Sequence, residues 1–363
     1  MGQRVLIDAR EFVHNRFTGI GRVLEGLIDA LAESGYLEKI TLAVTNSQMV
    51  PSRLKNRQKV FMETVPVSFV KSEKSLSDLS RENYSLFISP YPKLPLFGCH
   101  CRSINTVHDI LDLTHAAYKK RLKVSFDQLR LRQALKKADL TWYVSSSSMN
   151  ETNSLIGFTG INPRVRYSGI NDSFNVGRKE KDIDVLKKYG IGTGYILVLG
   201  NGLPHKNLGV VLETSDRLAR GLVLVGVPKA NRERWKRLYP NAKTRWIKYA
   251  SEEELPSIIK GAFCMAQPST AEGYGYPPLE AMACGVPAVI SNIPVLIETT
   301  NGHALSADPC APKDWIEAFE ALEDKEIYMS RVERGLKWVD RFRGRKGWKE
   351  HLSDIEELVE RQL

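Results

Sequence analysis

The sequence predicts an α/β protein of two Rossmann-like halves, and three observations carry that reading. Short apolar runs separated by helical or polar segments occur in two series, between residues 4 and 144 and again between 195 and 291. That alternation is expected of parallel sheets covered by helices. The 363 residues exceed one typical domain and suit two of similar size. Between the series, residues 171–193 are polar and charged without an apolar period, the pattern of an interdomain linker. Domains are expected at 1–170 and 194–344, with a C-terminal helix over 345–363 crossing back to the first.

Composition narrows the class. A hydrophobic fraction of 42% and a charged fraction of 26% are those of an ordinary soluble globular chain. Lys and Arg outnumber Asp and Glu by 52 to 42, a formal +10, which favours anionic partners such as nucleotides, phospholipid headgroups or nucleic acid. No signal peptide and no apolar run near eighteen residues is found, so a cytoplasmic protein is expected, with peripheral contact to an anionic membrane left open. The five cysteines are scattered and odd in number, which argues against a disulfide framework. Cys99-His100-Cys101 lacks a second ligand pair at zinc spacing, and no metal site is expected.

In the first half, Arg4 to Ala9 reads as a buried strand and Gly19 to Ser34 as a helix with Ile20, Leu24, Leu27, Ile28 and Leu31 on one face. The connecting loop carries Thr18-Gly19-Ile20-Gly21-Arg22. Leu24 breaks the dinucleotide fingerprint there. Further strands are expected at 40–44, 85–89, 104–107 and 140–144. His108-Asp109 follows the 104–107 run, and ligands of open α/β sheets bind beyond strand carboxyl ends, so His108 is a candidate beside the alternative of a structural histidine. Ser145 to Ser148 reads as a helix N-cap. Tyr118 to Ala138 holds eight Lys or Arg and the single acid Asp127, with apolar residues on two sides (Leu122, Phe126 and Leu129 against Val124, Leu131, Leu135 and Ala138), so a helix packed on both sides is expected.

In the linker, Asp182 and Asp184 have a spacing that could hold a divalent ion, though they stand in a solvated stretch. Strands of the second half are expected at Tyr195 to Leu199, Leu222 to Gly226, Lys243 to Ile247, Ala262 to Ala266 and Ala288 to Ser291. After the first comes Gly200-Asn201-Gly202-Leu203-Pro204-His205-Lys206-Asn207 and then a helical pattern. A lysine at a helix N-terminus below a glycine turn suits a diphosphate. Pro268 to Pro287 places Glu272 and Glu280 on either side of a glycine-aromatic loop. Pro278 to Cys284 reads as a short helix closed by Gly285, with Glu280 in its first turn. The loop offers backbone N–H groups and a positive helix end to an anionic or hydroxyl-rich ligand; the other reading is a tight turn with solvated glutamates. Glu326 to Leu363 reads as helical, broken near Gly344 and Gly347.

Taken together, Gly19-Ile20-Gly21, His108-Asp109, His205-Lys206-Asn207 and the run Glu272 to Glu280, in this order across nearly the whole chain, resemble family 4 retaining glycosyltransferases of the GT-B fold, in particular bacterial mannosyltransferase-like members. The resemblance implies two Rossmann-like domains facing across a cleft, a donor nucleotide sugar bound mainly by the C-terminal domain, and an acceptor facing the N-terminal one. It implies that Glu272 contacts the donor sugar, that the loop of Tyr274, Gly275 and Tyr276 holds sugar hydroxyls with its backbone, and that Glu280 binds the ribose. Lys206 matches the diphosphate lysine, His108 the histidine near the transferred sugar, and Gly19 the amino-terminal glycine turn. Many members carry an arginine where this chain has Asn201, which donates a hydrogen bond but has no charge.

The implied chemistry is metal-independent and retaining, with the leaving phosphate accepting the acceptor's proton and no cofactor beyond the donor itself. The His-Lys-Asn form favours GDP-mannose, with UDP-sugars as the alternative. A saccharide or lipid-linked saccharide acceptor, as in surface polysaccharide and lipopolysaccharide synthesis, is expected. A nucleotide-sugar epimerase of the same fold is the nearest competing class. A nucleic-acid-binding protein is suggested by charge alone and lacks a basic groove with stacking aromatics.

Overall fold

The structure is a computed structural model that describes residues 4–13, 18–35, 37–114, 121–177 and 180–360. It divides into two compact units, Met1–Gly169 with Gly344–Leu363, and Ile170–Arg343. The first holds a parallel sheet of β1 (Arg4–Asp8), β2 (Lys39–Val44), β3 (Val60–Thr64), β4 (Leu86–Ser89), β5 (Arg102–Val107), β6 (Leu140–Tyr143) and β7 (Pro163–Val165), in the order β3-β2-β1-β4-β5-β6-β7. The second holds β8 (Tyr195–Leu199), β9 (Leu222–Val225), β10 (Thr244–Ile247), β11 (Ala262–Gln267), β12 (Ala288–Ser291) and β13 (Leu305–Ala307), also parallel, in the order β10-β9-β8-β11-β12-β13. Counted within each unit, both contain the doubly wound order 3-2-1-4-5-6, which reverses direction at one point and opens a ligand crevice there. The near-continuous apolar runs of β1, β4, β8 and β11 suit strands buried on both faces.

Several sequence expectations need correction. The stretch read as a linker contains a helix, Glu180–Tyr189, that packs on the helix Leu255–Gly261. Its buried anchors are Leu186 and Asp182, and Asp182 accepts from Ser257 at 2.6 Å and pairs with Lys260 at 2.8 Å. A carboxylate so engaged anchors the helix, and the exposed Asp184 has no part in that pairing. The basic helix runs Arg121–Lys137, its expected first three residues lying outside the described ones. It buries Arg130, Leu131, Ala134 and Leu135, whereas Phe126 and Leu129 are exposed, so the second apolar side is uncovered. The short edge strands β3, β7 and β13 lie outside the expected set: β7 and β13 have three residues each, and β3 sets Val60, Phe61 and Met62 side by side without alternation.

Gly344–Leu363 belong to the first unit, whereas the helix Lys325–Val339 belongs to the second. The segment breaks as expected, that helix being separated from the helix Lys349–Glu360 by tight turns over Asp340–Phe342 and Gly344–Trp348. Trp348 lies against the helix Gly19–Ala32 where Gly26 leaves room: a Cβ there would stand 2.5 Å from the indole. Asp354 is buried and accepts from Trp142 Nε1 at 2.8 Å, from Arg166 at 2.7 and 2.9 Å, and from Arg164. Ser145 caps the helix Ser146–Ile156 reciprocally with Ser148, as its hydroxyl pattern predicts.

Candidate active site

In the second unit the strand order reverses between β8 and β11, so the loops leaving these two strands form the crevice. They carry Asn201 and Lys206 from one side and Glu272 to Glu280 from the other. The Asn201 Oδ1 accepts from the Leu203 N–H at 3.2 Å, closing an Asx turn, and its carbonyl accepts from Asn231 Nδ2 at 2.9 Å. Lys206 belongs to a separate single turn, Pro204–Lys206, ahead of the helix Leu208–Thr214, not to the helix start itself. Asn207 is left-handed, with φ 48°, and stands between turn and helix, donating to the Pro309 carbonyl at 2.7 Å. A left-handed residue reverses the chain locally, and this explains why no continuous helix begins at Lys206.

The stem of Lys206 passes over Gly200, and its ammonium reaches Glu272 Oε1 at 2.6 Å. The same oxygen accepts from Gln267 Nε2 at 2.6 Å and Ser269 Oγ at 2.6 Å. Charge-assisted donors on three sides fix the carboxylate in one orientation. A backbone bond ties the loops together as well, from the Thr270 N–H to the His205 carbonyl at 2.8 Å. Gln267, Ser269 and Thr270 were not anticipated. Serine three residues before Glu272 is the one local signal that could have pointed to them.

Glu272 is followed by Tyr274, Gly275 and Tyr276, the two rings 4.8 Å apart and inclined at 60°. The following helix spans Tyr276–Ala283, two residues longer at its start than expected, because prolines in the first turn give up only N–H groups that lack intrahelical partners. Glu280 therefore lies in the second turn, buried beneath the loop, and not in the first turn. Gly275 caps this helix with φ +85°, and a Cβ there would meet the buried Leu296 at 2.4 Å. Gly275→Ala is expected to cost roughly 2–3 kcal/mol through backbone strain and overpacking. A thermal melt should show the loss, with transfer falling more than the fraction folded; an unchanged melting point would refute this role.

Two further candidates belong to the first unit. His108 follows β5, and its ring donates to the Pro90 carbonyl. Desolvation pushes its pKa down to about 4, so the ring is neutral at pH 7. Its Nε2 has no hydrogen-bond partner among the described residues. Asp109 accepts from the Leu111 N–H at 3.0 Å and so caps the next turn. Gly19 opens the helix Gly19–Ala32, whose N-cap Thr18 accepts from Gly21 at 3.0 Å. A Cβ on Gly19 would meet nothing within 4 Å, so packing does not require a glycine there.

A lysine and a locked carboxylate on the two switch-point loops, with a buried glutamate beneath, form a donor set suited to an anionic sugar derivative. Residues 181–338 match the family model described as glycosyl transferases group 1. The matched stretch lies in the second unit and includes Lys206, Glu272 and Glu280, so this part of the chain is similar to the group 1 glycosyltransferases. This glycosyltransferase is 27% identical to O-antigen chain mannosyltransferase B of Escherichia coli, over 93% of this chain and 95% of that one. It is 24% identical to O-antigen chain mannosyltransferase RfbU of Salmonella typhimurium, over 85% and 84% of the two chains. In fold it is similar to sucrose-phosphate synthase from Thermosynechococcus elongatus, with a TM-score of 0.79, 15% identity, and coverage of 100% and 99%. The glycosyltransferase is thus α/β of the GT-B class. Among its described residues no helix is long and apolar enough to cross a membrane.

Proposed function

We propose that this glycosyltransferase moves a hexose, mannose before others, from a nucleoside diphosphate sugar to a saccharide or lipid-linked saccharide acceptor in O-antigen synthesis. The observation that carries the reading is Lys206 held 2.6 Å from Glu272 on the two loops of the switch point. Kinship with two O-antigen mannosyltransferases supports the choice of sugar and product.

In this reading the diphosphate lies at Lys206 and the turn of Asn201, the ribose at Glu280, and the sugar against Glu272 and the backbone of Tyr274, Gly275 and Tyr276. The bond between the anomeric carbon and the phosphate oxygen breaks, and its electron pair leaves with the nucleoside diphosphate. Lys206 stabilises that growing charge more than the ground state, which is the condition for rate enhancement. The acceptor oxygen bonds the anomeric carbon on the departing side, retaining configuration, and its proton passes to the leaving phosphate. Glu272, already saturated on one oxygen, orients the sugar and stabilises its positive charge. No metal is required.

A thermal-shift series with GDP, UDP, dTDP and ADP tests the donor. GDP is expected to stabilise most, by about 2.7 kcal/mol at a hundredfold excess over its dissociation constant. For units of this size that is a rise of roughly 2–4 °C for each kcal/mol. A larger shift with UDP would replace mannose by a UDP-linked sugar, and no shift with any nucleotide would remove the donor assignment.

A further inference from the structure

The first sheet has its own point of reversal, between β1 and β4. The chain leaving β1 carries Arg10, and the chain leaving β4 carries Tyr91 and Lys93. Beside them opens a cavity of about 270 Å³, whose lining combines the polar Arg10, Ser72, Tyr91 and Lys93 with the apolar Val67 and Phe69. The carboxylates around it are committed. Asp8 takes Arg10 at 2.7 and 2.8 Å; Glu73 takes Arg10 at 3.0 Å and Arg130 at 2.7 Å; and Glu11 accepts from the Tyr91 hydroxyl at 2.7 Å.

Lys93 is different. Among the described residues its ammonium has no carboxylate partner, and it rests 4.8 Å from the centroid of the Tyr91 ring. Burial, and then the charges of Arg130 and Arg10, push its pKa below the ordinary lysine value. Asp8 and Glu73 offset this only in part and make no direct ion pair with it, so a bound anion would lower the cost of the desolvated cation.

The apolar part of the lining has exposed apolar neighbours. Val67 is 83% exposed, Phe69 and Val70 are exposed beside it, and the Phe69 ring meets the exposed Phe126 edge-on at 6.4 Å, with Leu129 beyond. Contiguous exposed apolar side chains at the mouth of a pocket mark a binding surface, unlike single ones scattered over a protein. Lys93, a cation without a direct ion pair, and an apolar apron beside it fit a ligand that carries both groups.

We propose that this cavity binds the phosphate of a lipid-linked acceptor, Lys93 holding the phosphate while Val67, Phe69 and Phe126 receive the start of the apolar chain. The inference rests on the transferase reading and narrows its acceptor to amphiphilic phosphates. Neither a free phosphate nor an uncharged lipid satisfies both parts of the lining.

Calorimetric titration of the full chain with geranyl phosphate, inorganic phosphate and geraniol tests this. Geranyl phosphate is expected to bind at least about tenfold more tightly than either fragment. Lys93→Gln should weaken it by roughly 10- to 100-fold, as loss of a charged hydrogen bond does, while Lys93→Arg stays within a few-fold. Phe69→Ser should weaken geranyl phosphate and leave inorganic phosphate unaffected. Unchanged affinity in Lys93→Gln, or inorganic phosphate binding as tightly as geranyl phosphate, overturns the proposal. GDP titrated into the same proteins is expected to bind alike in all of them. Wild-type chain that takes geranyl phosphate but no GDP keeps this cavity and removes the donor reading instead.

Discussion

Lys206→Ala is expected to lower kcat by about two to three orders of magnitude while leaving the fold intact. The size follows from where the charge appears. Cleavage of the glycosyl–phosphate bond places a developing negative charge on the leaving group, and a preplaced ammonium acts on that charge more strongly than on the intact donor. Folding should survive because Glu272 keeps Gln267 and Ser269 as donors after the lysine is gone, and Thr270 still ties the two loops. Glu272→Gln should lose a comparable factor, because the neutral amide keeps the volume without the charge that faces the sugar. The two residues share one contact of 2.6 Å, so the double variant should lose less than the product of the single losses. Initial rates of nucleoside diphosphate release, with melting curves for each variant, decide the matter. Both single variants turning over within fivefold of wild type would remove Lys206 and Glu272 from the chemistry.

How far such a site can be read from sequence depends on which residues make their own local geometry. Gly275 and the prolines after it announce a turn whose shape only they allow, so the loop from Glu272 to Glu280 was readable as a loop joining two elements. The helix start was misplaced by two residues because Tyr276 and Pro277 are both acceptable in a first turn. The apolar runs of the central strands announce themselves too, whereas β3 at the sheet edge alternates little and β7 begins with proline. The helix Glu180–Tyr189 was hidden for another reason. Its inner face is built on Asp182, which reads as solvated until Ser257 and Lys260, about seventy-five residues away, are placed beside it. Likewise nothing local says that Gln267 and Ser269 turn toward Glu272, or that Lys93 lacks the direct carboxylate ion pair that Arg10 and Arg130 make. Long-range pairing of polar groups leaves no periodicity in the chain.

Such pairing also governs the stability of the first unit, where Asp354→Ala should be among the most damaging single changes. Asp354 is 2% exposed and receives Trp142, Arg166 and Arg164 at once, joining the C-terminal helix to β6 and β7. Removing one partner of a buried ion pair leaves uncompensated charge behind and costs about 3–5 kcal/mol. Desolvation alone would raise the Asp354 pKa, but the hydrogen bonds of Arg166, Trp142 and Arg164 outweigh it and hold the carboxyl below its ordinary value. Its contribution is therefore complete above the ordinary carboxylate range and disappears as pH falls through the depressed value. His351 acts earlier in the same titration. Its ring lies 4.7 Å from that of Trp142 and 5.2 Å from that of Trp348, and burial pushes its pKa down to about 3. Below the ordinary histidine value near 6.5 the unfolded chain takes up a proton that the native ring refuses. Stability should then fall by up to about 1.4 kcal/mol for each pH unit down to the folded value. His108, lowered to about 4, adds to the slope in the upper part of that window. Urea melts followed by tryptophan fluorescence at pH 7, 5.5 and 4.5 should show this decline in wild type and a shallower one in His351→Gln, whose side chain does not titrate. Asp354→Ala should begin from lower stability at pH 7 and retain most of the histidine slope, because the carboxylate is still largely ionised in both states over that range. Equal slopes in wild type and His351→Gln would mean that the buried ring does not control the acid limb, and a loss under 1 kcal/mol in Asp354→Ala would mean that the C-terminal helix is held by the packing of Trp348 instead.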